Sequence, residues 1–302
     1  MAWQPLPYDV WRASRDTLHG HAQVLGKVSL ALAPPEPELQ HGALRLTARG
    51  WETAPLPAQD GSGTIGLTLD LRIHQAVVEH SDGRAGSIPL TPNRSVAEVT
   101  SDVLAAVQAL AGDVAINMKP QETPWSTPLD QDTEHATYDT IQIGEYFDAA
   151  TRAAAVLTEL RAPYRGRSTS VNAWWGAFDM AVSLFSGAPA APPADDFIMR
   201  NSMDAQEIAV SWWPGDIRYP HAAFYAYAHP AQEDLPDIDL PVGAWDPGLG
   251  EFVLDWDDVI ATDDPYETAL DFCRTFARSA CQLCGWDPTL AGTVDSMPPP
   301  VR

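Results

Sequence analysis

Basic side chains are scarce in this sequence. In 302 residues, 18 Lys plus Arg stand against 41 Asp plus Glu, a formal net charge of −23 at pH 7. A phosphate-backbone binder needs local basic clustering that so few cations cannot supply, so nucleic acid and anionic membranes are not expected partners. Lysine is the rarest cation, with only Lys27 and Lys119 present. Cysteine is nearly absent as well: Cys273, Cys281 and Cys284 form an odd, clustered set, which argues against a disulfide scaffold. The Cys281–Cys284 spacing falls at the C-terminal end of a helical segment, where the dipole does not activate a thiol, and no second pair exists to complete a zinc site. Leu270, Cys273, Ala277, Cys281 and Cys284 follow helical spacing and read as small buried hydrophobes.

Long apolar runs are missing too. None approaches the roughly 20 residues that span a bilayer, and the first residues lack the basic-then-apolar pattern of a secretory signal, so a cytoplasmic location is expected. The standard catalytic fingerprints are absent: no Walker loop, dinucleotide fingerprint, nucleophile elbow or His-Glu-x-x-His. No cofactor is expected, and His19-Gly-His21 is too isolated to make a metal site. With 45% hydrophobic residues, the chain still has enough apolar material for a full core.

The patterning predicts an α+β fold, with mainly antiparallel sheet backed by helices. Residues 9–32 read as a helix, with Asp16, His19, Gln23 and Lys27 forming one polar stripe that a surface helix would turn to solvent. Strands follow over 43–48, 65–73, 76–79 and 87–90, the last pair joined through Asp82-Gly83. Ser95 and Glu98 form a capping box for a helix to 110, and 114–118 reads as a strand. A second helix over 141–160, strands over 171–185, 206–213, 222–228 and 251–254, and a closing helix over 265–283 repeat the helix–sheet–helix plan. These elements divide the chain into an N-terminal half (1–120), a connector (121–139), a C-terminal half (140–290) and a tail (291–302), with one compact domain as the alternative. The repeated order suggests a two-fold internal pseudo-repeat, although no residue-level repeat accompanies it.

Tryptophan is what the sequence has in excess: 11 residues, including the pairs Trp174-Trp175 and Trp212-Trp213. Strand alternation puts Trp174, Phe178, Met180, Val182 and Leu184 in an apolar row that belongs in the core. The opposite row holds Trp175, Asp179 and Ser183; matching rows hold Glu207, Ser211 and Trp213, and Tyr225, Tyr227 and His229. If register brings these rows onto one face, they form an aromatic pocket.

At these residues the sequence resembles an uncharacterised bacterial family catalogued as domain of unknown function 5996. The resemblance is carried by Gln23–Ala33 (QVLGKVSLALA), 132–139 (DTEHATYD), 171–187 (VNAWWGAFDMAVSLFSG), 211–215 (SWWPG), 223–230 (AFYAYAHP) and 250–254 (GEFVL). It implies a soluble bacterial protein and supplies no activity. The family pattern has histidines where this chain has Asn172 and Gln206, so a site built on imidazoles there would be lost or altered.

Two readings of function follow. The first is a protein that binds, and acts on, a small anionic or carbonyl-bearing organic metabolite over the C-terminal sheet. Glu207 or Asp179 would be the acid/base and Lys27 an electrostatic anchor, with His19, Gln23, Asn172, Trp175, Ser211, Trp213, Tyr225 and Tyr227 as ligand contacts. The second is a non-catalytic binding or self-associating scaffold, with a homodimer as its simplest assembly. A weaker third is a metal-dependent hydrolase built on Glu134 and His135; Asp132-Thr-Glu-His135 reads more simply as a surface loop or one that caps the following helix.

Overall fold

The computed structural model describes residues 3–291, so nearly all of the tail expected over 291–302 lies outside the described residues. The chain opens with helix α1 (Tyr8–Leu32) and a 3-10 turn (Pro37–Gly42). Strands β1 (Leu44–Leu46), β2 (Gly50–Glu52), β3 (Leu56–Pro57), β4 (Thr64–Asp70), β5 (Gln75–His80) and β6 (Ala85–Pro89) follow, then α2 (Val96–Ala111). After the connector come α3 (Thr140–Arg161), β7 (Asn172–Trp174), β8 (Asp179–Pro189), α4 (Phe197–Ser202), β9 (Ala205–Trp213) and β10 (Ala223–His229). β11 (Ala244–Asp246), β12 (Glu251–Asp255), α5 (Trp256–Ile260) and α6 (Pro265–Leu283) complete the described chain.

The fold is α+β. All twelve strands join one antiparallel sheet in the order β11-β12-β10-β9-β8-β7-β1-β2-β4-β5-β6, with β3 pairing β4 at the side. The two stretches of sheet meet where Leu44 pairs with Ala173 and Arg45 with Asn172, and strands extend outward from that seam on both sides. The segment 114–118 is not a strand; it has no regular secondary structure.

α1 departs most from its expected role. Its polar stripe is buried rather than solvated: His19 is 1% exposed, Gln23 0% and Lys27 4%. The helix packs against α2, α3, β4 and the 3-10 turn at once, so every residue from Ser14 to Ser29 is buried and only its two ends meet water. α2 begins as read, with Ser95 and Glu98 forming a reciprocal capping box. Its first free N–H groups are taken by carbonyls of the connector, Val96 N–H by His135 and Ala97 N–H by Asp132.

The helix-facing side of the sheet holds an aromatic stack. Trp11 stacks on Tyr146, Tyr146 on Phe178 and on Trp212, and Phe178 on Trp51. Stacked and tilted rings of this kind add to the gain from burying their area. Most of the tryptophan excess therefore serves the core, where Trp11, Trp51, Trp212 and Trp256 are fully buried. Cys273 and Cys281 are buried free thiols, matching the reading of small hydrophobes.

Candidate functional site

Strand register brings the three polar rows together. Ala181 pairs with Ser211 and Ser183 with Ala209; Ser211 pairs in turn with Tyr225, and Ala209 with Tyr227. Because cross-strand partners point the same way, these side chains share the face opposite the aromatic core. Small residues at Ala181, Ser183, Ala209 and Ser211 leave a hollow in that face. The result is a cavity of about 410 Å³, walled by Trp174, Trp175, Tyr225 and Tyr227 and covered by Phe197 and Met199 of α4.

One part of the parity reading is corrected. Residues 171–185 are not one strand: the chain turns at 175–178, where Phe178 N–H returns to the Trp174 carbonyl and Phe178 takes φ 62°. Alternation resets across the turn, so Trp174 pairs with Asp179 and lines the cavity beside Trp175 instead of entering the core.

Of the predicted residues, Asp179, Glu207, Trp175, Ser211, Tyr225 and Tyr227 line the cavity. Asp179 accepts the Tyr225 hydroxyl at Oδ2, while its Oδ1 has no partner. Ser211 Oγ, on the strand between them, is also buried without a partner. Burial raises the Asp179 carboxyl to about 7, and the Tyr225 hydroxyl bond offsets part of that rise. Glu207 accepts the Tyr227 hydroxyl at 3.3 Å and is likewise raised to about 7 by burial. Both tyrosines are pushed well above their usual range by burial, so they remain donors.

His19, Gln23, Lys27, Asn172 and Trp213 lie outside the lining and act on its walls from behind. His19 Nε2 stands 2.9 Å from the carbonyls of both Trp175 and Gly176; with two acceptors there, that nitrogen carries the proton. Burial holds the ring neutral. Gln23 clamps Gln121 in both directions, donating to its carbonyl at 2.7 Å and accepting its N–H at 3.1 Å. Lys27 Nζ donates to the Lys119 carbonyl at 2.8 Å, and burial lowers its pKa to about 8. Lys27 Nζ thus lies behind the wall, 5.2 Å from the centre of the Trp175 ring and outside the cavity lining, so direct anchoring of a ligand does not fit its position. Asn172 donates to Gln40 at 2.8 Å, and Gln206 accepts the Ser186 hydroxyl at 3.0 Å. Trp213 packs edge-on against Tyr225. His229 is held by the Ala191 carbonyl at 3.1 Å.

Sequence reasoning missed Glu38, Glu122 and Glu251, which complete the cavity's acid. They come from the 3-10 turn, the connector and the start of β12, so no local pattern links them. Two of them share a backbone feature, a non-glycine residue at positive φ, 50° at Glu38 and 56° at Glu122, and the Gln23 clamp on Gln121 holds the second in place. Glu251 is raised to about 7 by burial. Glu38 differs, because Arg167 pairs with it through both guanidinium nitrogens.

The Asp132–His135 cluster is separate. Asp132 accepts the backbone N–H groups of Glu134 and His135 at 3.1 Å and meets His135 Nδ1 at 2.7 Å, closing a loop whose carbonyls cap α2, the helix before it, while the following helix α3 is capped by Asp139. Among the described residues no group of three or more His, Cys, Asp or Glu is placed to hold a metal ion, and no helix is long and apolar enough to cross a membrane.

Fold and site together define an α+β protein with one wide antiparallel sheet whose open face carries an acidic, aromatic-walled cavity. The chain belongs to a family of unknown function, DUF5996, whose model matches residues 3–292. No curated protein and no solved structure matches it.

Proposed function

We propose that the protein binds a small organic molecule in the cavity over the C-terminal stretch of the sheet, and that Asp179 and Glu207 exchange protons with it. The observation that carries this reading is the pair of buried atoms with no partner, Asp179 Oδ1 and Ser211 Oγ, in the wall of a space of about 410 Å³. A buried polar atom left unsatisfied costs about 1–3 kcal/mol, which a bound donor would recover. The aromatic walls supply the apolar contact that small-molecule sites commonly use. Asp179 and Glu207, both raised to about 7, stand near half-protonation at neutral pH, the condition under which a carboxyl both gives and takes a proton.

The expectation of an anionic ligand rested on Lys27. With Nζ spent on the Lys119 carbonyl, that half of the expectation loses its basis, whereas a carbonyl oxygen would still find protonated carboxyls in the wall. Native mass spectrometry of the purified chain and tryptophan fluorescence across a metabolite panel test the reading. Occupancy should shift emission through Trp174 and Trp175, and Ala181→Leu, which fills the floor of the cavity, should abolish both signals. A chain that carries no adduct and answers to no member of the panel would sink the idea.

A further inference from the structure

The acid of the cavity is set out in two places. Asp179 lies at one end, close enough to Glu122 and Glu251 for their charges to bear on it. Glu207 lies at the other, paired in register with Phe185, six positions further along β8 than Asp179. At roughly 3.3 Å per residue, the two acidic residues are about 20 Å apart along the sheet at the backbone. Between them run the small side chains of Ala181, Ser183 and Ser211, flanked by the rings of Tyr225 and Tyr227.

No close ion pair neutralises these acids, although the charge of Arg167 bears on Glu207 and that of Arg218 on Glu122 and Glu251 from beyond contact. Arg167 is taken by Glu38 and Arg218 by Asp216. Among the described residues no Lys, Arg or His forms an ion pair with Glu122, Asp179, Glu207 or Glu251, and Asp179 Oδ1 and Ser211 Oγ are buried without partners at the same end. Buried carboxylates are ordinarily ion-paired; here hydroxyls stand in for a cation, Tyr225 on Asp179 and Ser183 and Tyr227 on Glu207, so a groove with acid at both ends and an aromatic, small-residue middle suits positive charge at both ends of an apolar chain.

We infer that the cavity takes a linear aliphatic amine with an ammonium group at each end, one seated on Asp179 and Ser211 and the other on Glu207. This rests on the reading of the cavity as a small-molecule site and names its ligand class. An ammonium presents three donors and no acceptor, which suits Asp179 Oδ1 and Ser211 Oγ together. The tyrosine rings flank the intervening methylenes and add attraction for the cationic ends.

Isothermal titration calorimetry of the full chain with 1,8-diaminooctane, 1,4-diaminobutane, octylamine, octanedioate and 1,8-octanediol tests the assignment. The long diamine is expected to bind about tenfold or more tighter than octylamine, the scale of one charge-assisted hydrogen bond. Glu207→Gln should remove that advantage by weakening the diamine and not octylamine, and Ser211→Ala, a milder change, should weaken both amines. Circular dichroism checks that each variant is folded. Octanedioate, octanediol or octylamine binding as tightly as the long diamine would overturn the ligand class and leave the small-molecule site standing. If no probe binds, and Ala181→Leu changes nothing, both readings fall.

Discussion

Asp179 shows how a single carboxyl couples the site to stability. Its folded-state pKa, about 7, lies above the ordinary 3.8 that the unfolded chain would show. Between those values the native state binds more protons, so the stability it contributes is fully present below about pH 4 and is lost as pH rises through 7. Each unit of difference is worth about 1.4 kcal/mol, so the loss is on the order of a few kcal/mol. Glu207 and Glu251, also raised to about 7, act in the same direction. Asp179→Asn still accepts the Tyr225 hydroxyl and cannot ionise, so its denaturation midpoint should fall less between pH 5 and pH 8 than that of the parent. Urea unfolding at the two pH values measures this; equal slopes would contradict it. Gly26 is a second single-residue control. A Cβ there would come within 1.8 Å of the Trp175 indole, which is fixed by its N–H bond to the Gly42 carbonyl at 2.9 Å. Gly26→Ala should therefore lower the melting temperature, a loss of about 1–3 kcal/mol, despite the better helix propensity of alanine, and should shift tryptophan emission as the cavity wall moves.

At the scale of elements, α1 is the frame that shapes the site without entering it. Its stripe was legible as His19, Gln23 and Lys27 on one face, because that follows from spacing alone. What it faces was not legible, since solvent, ligand and connector all favour the same polar letters. Gln23→Leu would leave the Gln121 N–H and carbonyl without their partner, so the segment around 119–122 should exchange its amide hydrogens faster, with a stability loss of about 1–3 kcal/mol. Hydrogen exchange by mass spectrometry reads the segment directly, and unchanged protection there would refute the clamp. α2 gives the contrasting case. Ser95 and Glu98 announce its start in sequence, and the structure forms the same reciprocal bonds. Ser95→Ala should cost about 1 kcal/mol in denaturant unfolding, the usual worth of an N-cap. The hairpin at 175–178 shows where pattern reading fails: the run VNAWWGAFDMAV carries strand letters throughout, and only the turn at Phe178 resets which residues face the cavity.

At the scale of the whole molecule, one sheet and one apolar cluster span both halves of the sequence. The seam between β1 and β7, and the packing of α1 against α3, tie the stretches before and after the connector together. Unfolding is accordingly expected as a single transition, with far-ultraviolet circular dichroism and tryptophan fluorescence giving coincident curves; two resolved transitions would mean the halves are separately stable.

The sequence by itself determined the α+β class, the main helices and strands, and which residues of β8, β9 and β10 share a face, because periods of 3.6 and 2 are local properties of the chain. It determined the acidity as well. Tertiary structure alone decided that Glu38, Glu122 and Glu251 join Asp179 and Glu207 around one cavity, and that Lys27 lies behind its wall. Those side chains come from a turn, a connector and distant strands, and their convergence depends on long-range register and on the burial of α1. The shifted carboxyls follow from the same cause, since the burial that raises them exists only once the sheet and its covering segments have come together.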